Sequence, residues 1–227
     1  MAESTSSPVS HGADLTLAEV RVLLIADVAA NAAFDGWNKT AVTAAAAAHG
    51  VDADLAQLAF SKGAVAMIDA WFAHIDAGME SGLPAATLAA MKIRDRITTL
   101  VEARLTIAEP HRESLRRALA ILAMPHNLPH GARLGWRAAD AMWRLAGDTA
   151  TDFNHYTKRL TLSGVYASTM AVFLNDDSED IAETRAFLSR RIDNVMQFEK
   201  WKAGWRKRSE MRPSIARFVG RLRYPQR

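Results

Sequence analysis

The 227-residue chain contains no cysteine. That excludes a disulfide framework, a thiolate nucleophile, a zinc ribbon and an iron–sulfur centre. Nor does any apolar run approach the ~20 residues that a bilayer-spanning helix needs. Glycine (12) and proline (7) are scarce beside 43 alanines, a balance that favours helix over turn-rich structure. No alternating or β-branched stretch and no fixed-period repeat appear, so the expected fold class is all-α. The first dozen residues are polar, with neither a basic start nor an apolar core. They read as a disordered lead without a secretory signal, and the expected location is cytoplasmic.

The net charge of +3 conceals an asymmetry. Residues 1–198 carry 18 basic and 23 acidic side chains, whereas the last 29 carry ten basic against Glu199 and Glu210. The body is acidic and the tail strongly basic, which suits an anionic surface, either membrane or nucleic acid. Taken as a helix from Pro213, the tail places Ile215, Phe218, Val219 and Leu222 within a sector of roughly 100°. Arg217 and Arg221 lie opposite, the pattern of a helix in a membrane interface. Trp201 and Trp205 upstream could add interfacial anchors. The expected membrane contact is therefore Ile215, Arg217, Phe218, Val219, Arg221 and Leu222, peripheral on an anionic inner-membrane surface. The alternative is that this stripe packs back on the body.

Prolines 84, 110, 125, 129 and 213 fall at joints between apolar-periodic segments. The periodicity predicts helices near 15–34, 38–48, 52–59, 62–77, 84–107, 111–123, 130–146, 151–174, 179–200 and 213–222. In 151–174, Phe153, Tyr156, Leu160, Ala167, Met170, Phe173 and Leu174 form the expected buried face, with Lys158, Arg159, Thr161 and Ser168 between them. Ser178 is the expected N-cap of the next helix, whose buried stripe is Leu188, Ile192, Val195 and Met196.

Residues 15–70 resemble the DNA-binding end of TetR-type regulators. A long helix ends at Gly36-Trp37, an alanine-rich one at His49-Gly50, and Asp52 caps a third before Phe60-Ser61-Lys62-Gly63. The chemistry is missing. From Leu15 to Phe60 only Arg21 and Lys39 oppose Glu19, Asp27, Asp35, Asp52 and Asp54, and only Gln57 of the third helix suits a base edge. A degenerate helix-turn-helix kept for packing is the expectation; a TetR-like DNA-binding transcriptional regulator is the alternative.

No catalytic constellation is legible, so neither catalytic residues nor a cofactor are expected. His126 and His130 lie in Pro125-His-Asn-Leu-Pro129, read as a loop, and lack a carboxylate partner for a metal. Asp152 and His155 have the i, i+3 spacing of di-iron bundles, but the motif occurs once. Trp71, Phe72, Trp136 and Trp143 lie on apolar faces, and Met67, Met79, Met91, Met124, Met142, Met170 and Met196 are spread along the helices. Such side chains fill a core or enclose a long apolar ligand, and periodicity leaves both readings open.

Three stretches narrow the choice: Met124-Pro-His-Asn-Leu-Pro, then Gly147-Asp148 with Thr151-Asp152-Phe153-Asn154-His155-Tyr156-Thr157-Lys158-Arg159, then Phe187-Leu188-Ser-Arg-Arg-Ile192. Together they resemble the COQ9 family, the lipid-binding accessory proteins of ubiquinone biosynthesis. The resemblance is dense over about 75 residues and weaker back to Leu15. It implies a TetR-like fold without catalytic activity, an isoprenoid quinone held among apolar helices, a homodimer and a C-terminal amphipathic helix on the membrane. It also implies that the surface around Gly147, Asp148, Thr151, Asp152, Phe153, Asn154, Tyr156, Lys158 and Arg159 docks the di-iron demethoxyubiquinone hydroxylase. His155 stands where the family often has tryptophan, which softens an aromatic contact.

The expected organisation is a lead at 1–12, a degenerate helix-turn-helix at 13–78, a lipid-binding helical domain at 79–198 and the basic tail at 199–227. Met91, Trp136, Met142, Trp143, Leu160, Met170 and Phe173 are the expected lipid contacts. Asp148, Asp152, Asn154, His155, Tyr156 and Arg159 are the expected partner contacts. Asp148, Asp152 and Tyr156 share i+4 spacing, which aligns them on one surface if Asp148 is helical. Otherwise the two aspartates only cap and charge that helix's first turn.

Overall fold

Thr16 opens the first helix through a capping box. Its hydroxyl accepts from the Glu19 N–H at 3.3 Å, and Glu19 Oε2 accepts from the Thr16 N–H at 2.8 Å. This helix, α1 (Leu17–Asp35), stops at Gly36, whose φ of 81° suits glycine alone. Asn38 Oδ1 then caps α2 (Lys39–His49) through the Thr40 and Ala41 N–H groups, and Gly50 ends it in the left-handed conformation. Asp52 Oδ1 accepts from the Leu55 N–H at 2.9 Å to open α3 (Ala53–Ala59). Each of these junctions is set by a residue within three positions of it.

The computed structural model describes the backbone of residues 15–149, 151 and 153–210, and side chains as far as Gln197. Asp152 and the expected membrane-contact residues, Ile215, Arg217, Phe218, Val219, Arg221 and Leu222, lie outside the described residues. The remaining helices are α4 (Ala64–Gly82), α5 (Ala85–Ala89), α6 (Ile93–Ala108), α7 (Arg112–Leu122), α8 (Leu128–Leu145), α9 (Phe153–Phe173) and α10 (Ala182–Glu210). Among the described residues there is no strand, and no helix is long and apolar enough to cross a membrane. The chain divides into two compact units, Met1–Leu188 and Ser189–Arg227.

In the first unit α1 packs on α2, α3, α4 and α7, while α4 also meets α6 and α8, and α8 pairs with α9. An aromatic hub ties the helix-turn-helix to the rest. Trp37 and Trp71 rings lie 5.4 Å apart, Phe72 meets Trp71 edge-on at 5.6 Å, and Trp37 Nε1 donates to the Ser114 carbonyl at 3.0 Å. Burying side chains of this size contributes about 1.5–3 kcal/mol each. Trp71 and Phe72 are core residues.

Four local expectations need correction. The helix expected at 84–107 is two, broken at Ala90–Lys92. Arg96 folds back across the break, donating to the Met91 carbonyl at 2.9 Å, the Ala89 carbonyl at 3.0 Å and, from Nη1, the Ala146 carbonyl at 2.8 Å. One guanidinium thus caps the ends of both α5 and α8. The Pro125–Pro129 stretch is not a loop: Pro125–Asn127 forms a 3-10 turn and α8 starts at Leu128, with Pro129 in its first turn. The buried face of α9 is rotated from the expected one and comprises Arg159, Leu162, Val165, Tyr166, Thr169, Met170 and Phe173. Met196 is exposed rather than part of a buried stripe.

The α9–α10 connection is organised by Asp176. Ser178 stands at the expected N-cap position, but it opens a 3-10 turn (Glu179–Ile181) and α10 starts one turn later, the Ser178 Oγ accepting from the Glu183 N–H at 3.1 Å. Asp176, itself buried, accepts from the N–H and hydroxyl groups of both Ser178 and Thr184. Burial alone would push its carboxyl up, but these hydrogen bonds outweigh burial and hold it well below the usual carboxylate range.

Candidate functional site

The corner between α8 and α9 carries the residues singled out for partner docking. Helix α8 ends in a Schellman motif: the Gly147 N–H bonds the Arg144 carbonyl and the Asp148 N–H bonds the Trp143 carbonyl, both at 3.0 Å. Gly147 has φ 86°, and a Cβ there would stand 3.4 Å from Arg96 Nη1. Asp148 therefore lies in a loop before α9, and helical i+4 alignment with Tyr156 does not apply.

Asp148 and Arg159 of this segment are turned inward, and Lys158 folds onto Asp148. The Asp148 side chain is only 5% exposed; it takes Lys158 Nζ at 2.6 Å and Arg159 Nη1 at 3.0 Å. Arg159, 2% exposed, also donates from Nε to Asp140 Oδ1 at 2.6 Å and from Nη1 to the His155 carbonyl at 3.2 Å. Lys158 further sits 5.2 Å above the Trp143 ring, whose Nε1 donates to the Lys158 carbonyl at 3.1 Å. Arg159, expected on the polar side of α9, is instead buried because two carboxylates meet it there.

The uncharged members face outward. Phe153 (78% exposed), Tyr156 (60%) and Leu160 (69%) recur at steps of three and four along one face of α9. Tyr156 lies 6.1 Å from the half-buried Trp136 of α8 and meets His155 edge-on at 5.2 Å, and Asn154 is exposed beside them. This is an aromatic patch at the surface, wider than a single exposed side chain.

The seven expected lipid contacts fall into three settings. Met142, Met170 and Phe173 are buried. Trp136, Trp143 and Met91 are half-buried, the last at the α5–α6 break, where its sulfur accepts from the Thr99 hydroxyl at 3.8 Å. Leu160 lies outside and does not face the interior, the consequence of the rotated α9 face.

Sequence reasoning missed a second polar cluster inside the bundle. Arg104 of α6, with no solvent exposure, donates from Nη1 to Asp76 of α4, whose other oxygen accepts from Arg137 Nε at 3.2 Å. Arg137 also pairs with Asp69 and donates to its carbonyl at 3.1 Å. The signal was present: Arg104 sits at helical spacing among Ile97, Leu100, Val101, Leu105 and Ala108, so a cation occupies an apolar stripe. Among the described residues no group of three His, Asp or Glu side chains could hold a metal ion.

Residues 128–199, from the start of α8 into α10, match the COQ9 family model. The human mitochondrial ubiquinone biosynthesis protein COQ9 is 43% identical over 96 residues, 42% of this chain and 30% of that protein. The Drosophila melanogaster protein is 27% identical over 168 residues, covering 72% of this chain and 51% of its own length. The aligned part thus spans about a third of the human relative. Among solved structures, a TetR transcriptional regulator from Nitrosomonas europaea superposes with a TM-score of 0.64 at 22% identity, covering 78% of this chain and 98% of that one. Residues 128–199 are thus similar to the COQ9 family, and they are carried on an all-α, TetR-like frame.

Proposed function

We propose that the chain is a non-catalytic accessory protein of ubiquinone biosynthesis. It binds an isoprenoid quinone intermediate among its helices and presents it, at an anionic membrane surface, to the di-iron demethoxyubiquinone hydroxylase. The observation that carries the reading is the division of labour at the α8–α9 corner. Asp148, Lys158 and Arg159 are spent on holding the corner, while Phe153, Tyr156, Leu160 and Trp136 are displayed. A displayed aromatic patch on a rigid corner suits protein docking, because aromatic side chains in a fixed frame lose little entropy on association. Buried Met142 and Met170 supply adaptable walls for a long apolar tail, with ~0.8 kcal/mol per buried methylene making tail length the main source of affinity. No cofactor takes part, and the homodimer implied by the family resemblance belongs to the same reading.

The test has two arms. Lipid co-extracted with the purified protein should be identified by mass spectrometry as an isoprenoid quinone or precursor. Tyr156→Ala should weaken hydroxylase pull-down by tenfold or more with little change in melting temperature, since the side chain is largely exposed. Absence of any co-extracted isoprenoid, or a pull-down unchanged by Tyr156→Ala, would overturn the corresponding half. Turnover of the quinone by the purified chain alone would replace the accessory role with an enzymatic one.

A further inference from the structure

Arg104 has hydrogen-bonding capacity that the protein does not use. Its side chain has no solvent exposure, and Nη1 is engaged by Asp76, but among the described residues Nε and Nη2 have no hydrogen-bond partner. Buried donors are nearly always paired, so two on one side chain call for an acceptor. Those two nitrogens share one edge of the planar guanidinium, where their N–H bonds run parallel. The guanidinium carbon lies 5.1 Å over the ring of Tyr166, a cation–π contact.

A parallel two-donor edge matches two acceptor oxygens side by side, as in a carboxylate or neighbouring oxygens on a ring. Charge bears on the choice. Asp76 and Asp69 together face Arg104 and Arg137, so the cluster is already balanced and a neutral acceptor pair suffices. We propose that Arg104 is the head-group anchor of an amphipathic ligand, with Nε and Nη2 donating to paired oxygens of its head. This rests on the lipid-binding reading above and names the residue that orients the ligand. Asp76 is a positioning residue: it fixes the guanidinium so that the opposite edge is presented. Tyr166, Leu162 and Met170 on α9, and Ile75 and Met79 on α4, supply apolar surface within about a turn of the cluster's own helical positions.

The test measures equilibrium binding of three ligands with one isoprenoid tail to the full chain: a dimethoxybenzoquinone head, a carboxylate head, and a hydrocarbon without oxygen. Wild type should prefer one of the oxygen-bearing heads over the hydrocarbon by at least about tenfold, as charge-assisted hydrogen bonds allow. Which head is preferred separates a quinone from a fatty acid as the natural source, and either supports the anchor. Arg104→Lys keeps a cation for Asp76 but loses the fork, and should bring all three ligands within about twofold at unchanged hydrocarbon affinity. Retained preference in Arg104→Lys would overturn the assignment. Should that variant not fold, the Arg104 Nε–H resonance of wild type serves instead. It should move with the preferred head and not with the hydrocarbon; equal behaviour with all three overturns the anchor. Wild type that binds the hydrocarbon without preference sinks the anchor alone, whereas wild type that binds none of the three sinks the lipid reading with it.

Discussion

Replacing Asp148 by alanine separates a structural aspartate from a docking one. In the folded protein its carboxylate neutralises Arg159, which is buried, and Lys158, which is more than a third exposed. Lost contact with Lys158 costs little, since a partly solvated ammonium rehydrates and such pairs contribute about 0–1 kcal/mol. Arg159 cannot rehydrate. Breaking a buried pair from one side typically costs about 3–5 kcal/mol, because the remaining charge stays desolvated. Here Asp140 Oδ1 still holds Nε at 2.6 Å, which keeps the cation partly compensated. The expected loss is therefore about 2–3 kcal/mol, or roughly 5–10 °C in melting temperature for a chain of this size. The double variant Asp148→Ala/Arg159→Met removes both charges and should be more stable than the sum of the single losses by at least ~1 kcal/mol. Urea unfolding of the four proteins measures this, with hydroxylase pull-down in parallel. An Asp148→Ala protein that melts like wild type yet fails to capture the hydroxylase would refute the reasoning and return Asp148 to the partner surface.

Three further outcomes are expected. Asp176→Asn should cost about 3 kcal/mol at neutral pH, because an amide replaces a carboxylate that accepts from Ser178 and Thr184. The folded carboxyl lies below its ordinary value of about 3.9, so this stabilisation is complete above that pH and fades as pH falls below it. The gap between variant and wild type should narrow in acid, and a gap unchanged at pH 3 would refute the assignment. Arg96→Met should speed amide exchange around Ala89–Met91 and Ala146–Gly147 by hydrogen-exchange mass spectrometry without loss of the global fold; uniform exchange would show that the carbonyls it caps are held otherwise. Flotation with anionic liposomes should fail for a 1–210 truncation and for Phe218→Glu but succeed for the full chain; like behaviour of all three would remove the tail as the membrane contact.

What the sequence revealed was local, and what it hid was reciprocal. Gly36, Gly50 and Asp52 act on backbone within three residues, so the ends of α1 at Asp35 and α2 at His49 and the start of α3 at Ala53 could be read directly. The break at Ala90–Lys92 could not, because Arg96 connects it to Ala146, fifty positions away. The α9 face failed for a related reason. Two apolar stripes compete around that helix, and the one containing Arg159 is buried only because Asp140 and Asp148 approach from elsewhere. Counting Arg159 as solvent-facing rotates the helix and sends Leu160 inward. Arg104 shows the complement: a cation at an apolar helical position was visible, but its meaning depended on Asp76, twenty-eight residues earlier.

Helices α1–α3 share the TetR-like frame, and their polar groups are committed to one another. Arg21, one of two basic residues between Leu15 and Phe60, turns inward and donates to the Ala59 carbonyl at the end of α3. Gln57, the single side chain of α3 suited to a base edge, donates to Thr43 Oγ1 of α2 at 3.3 Å. Asp52 and Asp54 stand at the N-terminal end of α3, where a recognition helix ordinarily meets phosphate oxygens. Duplex affinity grows with the number of phosphates neutralised, and Lys39 is the one basic residue of this segment not turned onto α3. The same contacts hold α1, α2 and α3 together. Together with the Trp37–Trp71 hub they make these helices the platform on which α4 and α7 are set.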